Sequence, residues 1–273
     1  MAADESSEER QLYGLDPESR QMVLDTVGQL KKRLLTKDKI LEYDQKEIFP
    51  EETIREMLGA EIGLQLLMLP EAYGGIGGGA RDSCAITREM AKICLGITTA
   101  FFALQLGADP IMVGGTEKQK QKWLSAIAEG NALVAYAVTE PDAGSDTAAV
   151  ATTAVRDGDD YVINGSKVMI GNGTVGTFML VYCLTNPEVE SKTGRHSIII
   201  VETDREGYKA DPMHGKMGLR ASDTSAVYFN NVRVPRENLL GAEGNGFIQL
   251  MKFFDHSRAY VAGHGVGLAQ GAL

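Results

Sequence analysis

The residues best suited to chemistry lie in one short segment near the middle of the chain, YAVTEPDAGSD at 136–146. An apolar strand runs into a loop of small residues, whose backbone N–H groups are open to a ligand. Thr139 and Ser145 add hydroxyl groups, and Gly144 lets a ligand approach the backbone closely. Such a loop suits a polar ring edge or a phosphate. A plain surface turn after a strand is the alternative that the residue types leave open.

Composition excludes several classes of function. The 273 residues carry a net charge of -10, so the basic surface that binding to a nucleic acid backbone needs is not expected. Three cysteines and four histidines show no metal-binding spacing, which indicates a reduced intracellular protein without a metal site. The acidic, polar N-terminus resembles neither a signal nor a transit peptide. No apolar run approaches the ~18 to 20 residues of a membrane span, so we expect a cytoplasmic protein that binds no membrane.

The periodicity of apolar residues predicts helices first, then strands, then a helix again. Val27, Leu30 and Leu34 recur as on one face of a helix. The segment Thr116–Gln119 resembles a capping box that begins another helix. From residue 133 on, short β-branched runs are joined by turns, and Asn164-Gly165 between two of them predicts a type I′ hairpin.

Strands this short without intervening helices are typical of an antiparallel barrel or sandwich. We therefore predict an α+β fold. Its parts are a polar tail (1–15), an N-terminal helical domain (16–132), a middle antiparallel β-barrel domain (133–243) and the truncated start of a C-terminal helical bundle (244–273). That last helix carries Leu250, Phe254 and Val261, which we expect to form an exposed apolar stripe.

The loop at 138–146 resembles the signature of the acyl-CoA dehydrogenase family, an apolar-Thr-Glu-Pro-x-x-Gly-Ser-Asp segment at the start of the middle domain. Other family-like segments follow in order and cover nearly the whole chain after the polar tail. They are LPEAYGG at 69–75, NGSK at 164–167 with IGNG at 170–173, MGLRASDT at 217–224 with VRVP at 232–235, and FDHSR at 254–258 with GVGLAQ at 265–270. Ordered motifs of this kind make the resemblance specific.

The resemblance implies that FAD binds between the β domain and the helical domains. Thr139 would bond the polar edge of the flavin ring, and Ser145 would lie where the flavin meets the thioester arm of the substrate. Tyr136 as an ordinary core residue is the alternative. The implied cofactor contacts are Tyr136, Val138, Thr139, Gly144, Ser145, Met169, Ile170 and Gly171.

The resemblance also implies a set of contacts to an acyl-CoA substrate. Thr98 and Phe102 would lie on the helix that floors the acyl pocket, although helical core is the alternative for both. Arg258 would offer its planar guanidinium to the CoA nucleotide, unless it pairs with Asp255 instead. The implied substrate contacts are Ser145, Thr193, Asp255, His256, Ser257, Arg258, Thr98 and Phe102.

Two departures from the family pattern bear on mechanism. The family commonly has Trp and Thr where this chain has Met169 and Gly171, so flavin tuning is expected to differ, although a Met can still pack on the ring through its polarizable sulfur. In most members the catalytic base is a late Glu that this chain lacks, and in a minority it directly precedes the Arg that matches Arg258. That position is Ser257, which is too weakly basic, so no catalytic residue is assigned.

The function implied by the resemblance is α,β-dehydrogenation of an acyl-CoA thioester, with hydride transfer to FAD and electrons passed to an electron-transferring flavoprotein. We expect a homo-oligomer, a dimer or tetramer, or a partner that supplies the missing C-terminal helices. Two alternatives stay open: an acyl-CoA oxidase-like flavoenzyme, and a non-catalytic fragment that binds CoA or a partner.

Overall fold

A computed structural model of the protein describes residues 14–273, so the predicted polar tail lies outside the described residues except for residues 14 and 15. Six α-helices of the described chain precede the sheet and one follows it. They are α1 (Pro17–Arg33), α2 (Lys37–Lys46), α3 (Glu51–Leu58), α4 (Ala80–Ile93), α5 (Leu95–Gly114), α6 (Glu117–Ala128) and α7 (Gly246–Ala272).

Local hydrogen bonds determine where two of the helices begin. α1 follows Asp16, whose carboxylate accepts the backbone N–H groups of Glu18 at 2.9 Å and Ser19 at 3.0 Å. α6 begins at the predicted capping box, where Gln119 N donates to Thr116 Oγ1 at 3.3 Å and Thr116 N donates to Gln119 Oε1 at 3.0 Å. These bonds satisfy N–H groups that have no partner inside the first turn, and the predicted start of α6 is confirmed.

Seven strands form one curled sheet. They are β1 (Val134–Ala137), β2 (Thr153–Asp157), β3 (Asp160–Gly171), β4 (Phe178–Leu184), β5 (His196–Glu202), β6 (Tyr208–Pro212) and β7 (Thr224–Pro235). The order is β1-β4-β2-β3-β7-β6, and β5 also pairs with β4. The predicted succession of helical region, β region and further helix is confirmed.

The sheet is mixed rather than wholly antiparallel, because β4 pairs in parallel with both β1 and β2. Along the sequence, the β2–β3 hairpin lies between β1 and β4. After this hairpin the chain runs through β4 in the same direction as through β1. Parallel neighbours are joined by a long connection and not by a tight turn. For this reason no local turn signal in the sequence could have predicted the pairing.

The Asn164-Gly165 hairpin prediction is wrong. Both residues lie inside β3, where a register shift marks a bulge, and the hairpin turn falls at Asp157–Asp160 instead. A Cβ at residue 165 would lie only 2.5 Å from Thr152 Oγ1, so glycine is required by the close approach of Thr152, just before β2. Asn164 Oδ1 accepts the backbone N–H of Asn231 at 2.9 Å, so a side chain supplies the acceptor that the backbone of β3 does not offer at the bulge.

Both faces of the central strands are covered. Along β4, Phe178, Leu180 and Tyr182 face the helices, whereas Met179 and Val181 face the interior of the curled sheet. A strand buried on both faces has a continuous apolar sequence instead of an alternating one, as in FMLVYCL here.

Helix α5 is the central helix of the helical layer. It is 20 residues long and apolar enough to cross a membrane by length and composition, which the sequence prediction missed. However, 78% of its apolar 18-residue stretch is buried inside the protein. A Cβ at Gly107 would overlap the side chain of Val134, so α5 packs directly on β1 through this glycine. The burial identifies α5 as a core helix of the folded chain.

Helix α7 packs along α4 through glycines. A Cβ at Gly263 would lie 2.9 Å from Cys84 O, and one at Gly267 would overlap Arg88 O. Leu250, near the start of α7, is fully buried in the core that the helices share, so its predicted exposure is wrong, and Phe254 is half-buried. Val261 is 52% exposed as expected.

Candidate functional site

The loop that follows β1 leaves part of its backbone without partners. A small turn joins Glu140 and Ala143, with Glu140 N donating to Ala143 O at 2.9 Å and Ala143 N to Glu140 O at 3.2 Å. The N–H groups of Gly144 and Ser145 donate no hydrogen bond to any described residue, and both residues are exposed. No atom lies within 4 Å of the position that a Cβ at Gly144 would take. The loop therefore presents two open donors to a ligand that approaches the backbone.

The end of β3 lies beside this loop, because Val168 N donates to Thr139 O at 2.9 Å. The next residue, Met169, has a left-handed backbone with φ of 60° and a side chain that is 64% exposed. A left-handed backbone costs an L-residue about 1 to 2 kcal/mol. Strain of this kind is found most often at ligand sites, and the exposed thioether offers an apolar surface next to the open loop.

Asn172 fixes the end of β3 in place. Its side-chain Nδ2 donates to Ala100 O of α5 at 3.2 Å and to Val134 O of β1 at 3.3 Å. Gly171 faces the same helix, since the nearest atoms to a Cβ built there are Ala103 Cβ and Asp223 O, both at 3.9 Å. The end of β3 therefore borders the helix that carries Thr98 and Phe102, and a Cβ at residue 171 would make only ordinary contacts there.

Tyr136, a predicted cofactor contact, packs against the core at the end of β1. Its ring meets the ring of Phe253 edge-on, with 5.1 Å between centroids. Its hydroxyl is buried without a hydrogen-bond partner among the described residues, and burial raises the pKa of Tyr136 well above its usual value. The hydroxyl of Tyr182 is orphaned in the same way, so this feature is not specific to the loop. The two open amides and the exposed thioether fit a flat ring with a polar edge.

The predicted acyl-pocket residues are packed as core. The Thr98 hydroxyl donates to Cys94 O at 2.7 Å inside its own helix. The ring of Phe102 stacks on Tyr260 at 6.1 Å and meets His264 edge-on at 5.6 Å. This is the alternative that the sequence left open for both residues, and an acyl pocket at this point stays a prediction.

The predicted CoA contacts on α7 divide between its two faces. Arg258 pairs with Asp255 at 3.3 Å on the exposed face, which is the ion pair that the sequence allowed, and His256 is exposed as well. Ser257 is buried next to Tyr260. Thr193 lies elsewhere, in an exposed turn between β4 and β5, where its hydroxyl is 2.9 Å from Ser191 Oγ.

Asp109 is a titratable group that the sequence interpretation missed. It is buried between α5 and α7, where Tyr260 Oη donates to Asp109 Oδ2 at 3.3 Å. Burial raises the pKa of Asp109 to about 7. The feature of the sequence that could have revealed it is an acidic residue inside α5, the most apolar of the described helices. Within residues 14–273 no cluster of potential metal ligands is found.

A helical layer, a curled mixed sheet and a further helix, with an open loop at the junction, form the architecture of the flavin-dependent acyl-CoA oxidoreductases. Family models agree with this class. The model for the N-terminal domain of acyl-CoA dehydrogenases matches residues 17–131, and the model for the middle domain matches residues 135–232. The chain belongs to the acyl-CoA dehydrogenase family.

Individual relatives support the same conclusion. A cyclohex-1-ene-1-carbonyl-CoA dehydrogenase of Geobacter metallireducens is 40% identical over 257 residues, which is 94% of this chain and 66% of that protein. Butyryl-CoA dehydrogenase of Megasphaera elsdenii superposes with a TM-score of 0.88 at 32% identity, over 95% of this chain and 68% of that one. A glutaryl-CoA dehydrogenase of Mycobacterium smegmatis in complex with FADH2 gives 0.81 at 28%, over 94% and 64%. The chain spans between 58% and 66% of the length of five curated relatives.

Proposed function

We propose that the protein acts as an FAD-dependent acyl-CoA dehydrogenase. The main support for this proposal, in a chain of this family, is the open loop 138–146. The hydrogen bond from Val168 N to Thr139 O places this loop beside Met169, which is exposed and has a strained backbone. We further propose that it works in the cytoplasm as a homotetramer, with an electron-transferring flavoprotein as acceptor. We also propose the domain boundaries predicted from the sequence, which are a helical domain at 16–132, a β domain at 133–243 and the start of a helical bundle at 244–273.

The residues of the loop would hold the polar edge of the flavin. The open N–H groups of Gly144 and Ser145 are suited to acceptor atoms on that edge, and the Thr139 hydroxyl can donate or accept. Met169 would cover one face of the ring through its thioether. Gly171 contributes only its backbone there.

The flavin, when bound, would supply the hydride acceptor that no amino acid side chain provides. The chain itself would orient the acyl thioester and exclude water from it. Ser257 is not suited to remove the α-proton, because its hydroxyl is weakly basic and its side chain is buried. No base is proposed among the described residues.

Flavin analysis of the full-length protein tests this proposal. The purified protein should be yellow, release FAD on denaturation, and lose its visible flavin absorbance when an acyl-CoA substrate is added anaerobically. Release of FMN, or the absence of any flavin, would refute the proposal. Rapid reoxidation by O2 after bleaching would favour the acyl-CoA oxidase alternative. Stable FAD with no bleaching by any acyl-CoA would favour a non-catalytic protein.

A further inference from the structure

A buried ion pair lies directly beneath the candidate flavin loop. Lys167 Nζ is 2.9 Å from Glu140 Oε1, and the two side chains are 0% and 8% exposed. Lys167 belongs to β3 two residues before Met169, and Glu140 directly follows Thr139. Each member of the pair is therefore adjacent in sequence to one side of the site.

The ammonium group uses all of its donors. Besides Glu140, Lys167 Nζ donates to Val138 O at 2.9 Å and to Tyr182 O at 2.6 Å. The parallel ladder of β1 and β4 ends at the pair of Ala137 with Val181, so these two carbonyls lie one step beyond it. Lys167 replaces the partners that the ladder no longer provides at the point where the chain leaves the sheet to form the loop.

The carboxylate is equally well satisfied. Glu140 accepts the backbone N–H of Ala151 at 2.8 Å and of Thr152 at 2.9 Å, just before β2. Burial alone would raise the pKa of Glu140, but the charge of Lys167 and these N–H groups lower it, so the group is ionised. The two ends of the loop segment 138–152 are thereby bound to the two members of one buried ion pair, Val138 to Lys167 and Thr152 to Glu140.

We propose that Lys167 and Glu140 are positioning residues that hold the loop 138–146 in the conformation required to bind FAD, an inference that rests on the function proposed above. Thr139 lies between two anchored neighbours, because Val138 is held by Lys167 and Glu140 is held by Lys167 and the start of β2. The pair contacts the backbone of the loop and leaves the amides of Gly144 and Ser145 open. A buried pair of this kind costs desolvation energy, so a contribution to stability alone does not account for it well.

The test uses the full-length protein and four variants: K167M, E140Q, the double variant K167M/E140Q, and K118M. Lys118 is the matched control, since it forms an exposed ion pair with Glu237 at 3.4 Å, away from the loop. The measurements are the Kd of the apoprotein for FAD by flavin fluorescence, the visible flavin spectrum, the flavin midpoint potential, and the unfolding midpoint without FAD.

K167M leaves a buried carboxylate unpaired, so we expect it to be destabilised and to bind FAD weakly. The double variant removes both charges and should recover much of the lost stability. Its carbonyls at Val138 and Tyr182 still lack a donor, so its Kd for FAD should stay about tenfold or more above that of the wild type, with a shifted flavin spectrum and potential. K118M should match the wild type in all four measurements.

A folded double variant with the wild-type Kd, spectrum and potential would overturn the inference. If the double variant does not fold, E140Q decides, because its amide cannot accept from both Ala151 N and Thr152 N while it faces Lys167. E140Q should then weaken FAD binding about threefold or more, and an unchanged Kd and spectrum would overturn the inference. A wild-type protein that binds no FAD would instead refute the proposed function.

Discussion

Replacing Asp109 with asparagine should make the protein more stable at neutral pH but not in acid. The pKa of Asp109 rises from 3.8 to about 7 in the folded protein through burial. A carboxyl with a raised folded pKa stabilises the protein below the unfolded pKa, and this contribution is lost as the pH rises through the folded pKa. Over about 3 pKa units at ~1.4 kcal/mol each, the loss amounts to roughly 4 kcal/mol by pH 7.

Asparagine has nearly the same shape and cannot ionise, and its Oδ1 can still accept the Tyr260 hydroxyl. Urea unfolding of the full-length protein should show a free-energy difference between D109N and wild type that grows in favour of the variant by roughly 3 kcal/mol between about pH 4.5 and 7.5. The control D211N, at an exposed carboxylate that pairs with Lys209, should show no such growth. A difference for D109N that is constant with pH would refute the reasoning, because Asp109 would then titrate alike in both states.

Three further outcomes follow from packing, capping and the site. In urea titrations, G267A should destabilise the protein by about 1 to 3 kcal/mol, because its Cβ would overlap Arg88 O. The control G265A, on the open side of α7, should be neutral or stabilising by up to about 1 kcal/mol. T116A should lower the unfolding free energy by about 1 kcal/mol through loss of the cap of α6, and no change would contradict the capping box. G171T with M169W should fold normally and move the flavin potential by at most a few tens of mV; an unchanged potential and spectrum would mean that these side chains do not face the ring.

Local signals in the sequence predicted the elements whose contacts are local. The start of α6 depends on bonds between residues three positions apart, and the residue types of a capping box encode those bonds. The Asn164-Gly165 signal is just as local, yet it failed, because Gly165 is needed for the close approach of Thr152, which lies just before β2. A turn-forming dipeptide can therefore be used for close packing, and its sequence alone does not distinguish the two uses.

The candidate site was predictable to the extent that it is one continuous segment. The loop 136–146 was recognised from its motif, whereas the buried partners of the site lie far apart in the chain. Side chains alternate between the two faces of a strand, and this alternation puts Lys167 on the same buried face of β3 as Tyr161 and Ile163. A lysine on a buried face indicates that it has a buried partner. The identity of that partner was not readable, since Glu140 reaches Lys167 only through the fold. The same holds for Tyr260, which is 151 positions from Asp109.

The departures at Met169 and Gly171 affect the contacts of the site more than its framework. The framework consists of the bond from Val168 N to Thr139 O and the bonds that Asn172 donates to α5 and β1. None of these bonds uses the side chain of residue 169 or 171. A Trp or Thr at these positions can therefore be lost without loss of the loop conformation. In the proposed flavin site the consequence would fall on the covering of the ring and on its hydrogen bonds. Since one hydrogen bond contributes about 0.5 to 1.5 kcal/mol, this chain should retain a flavin site whose electronic tuning, rather than its existence, distinguishes it.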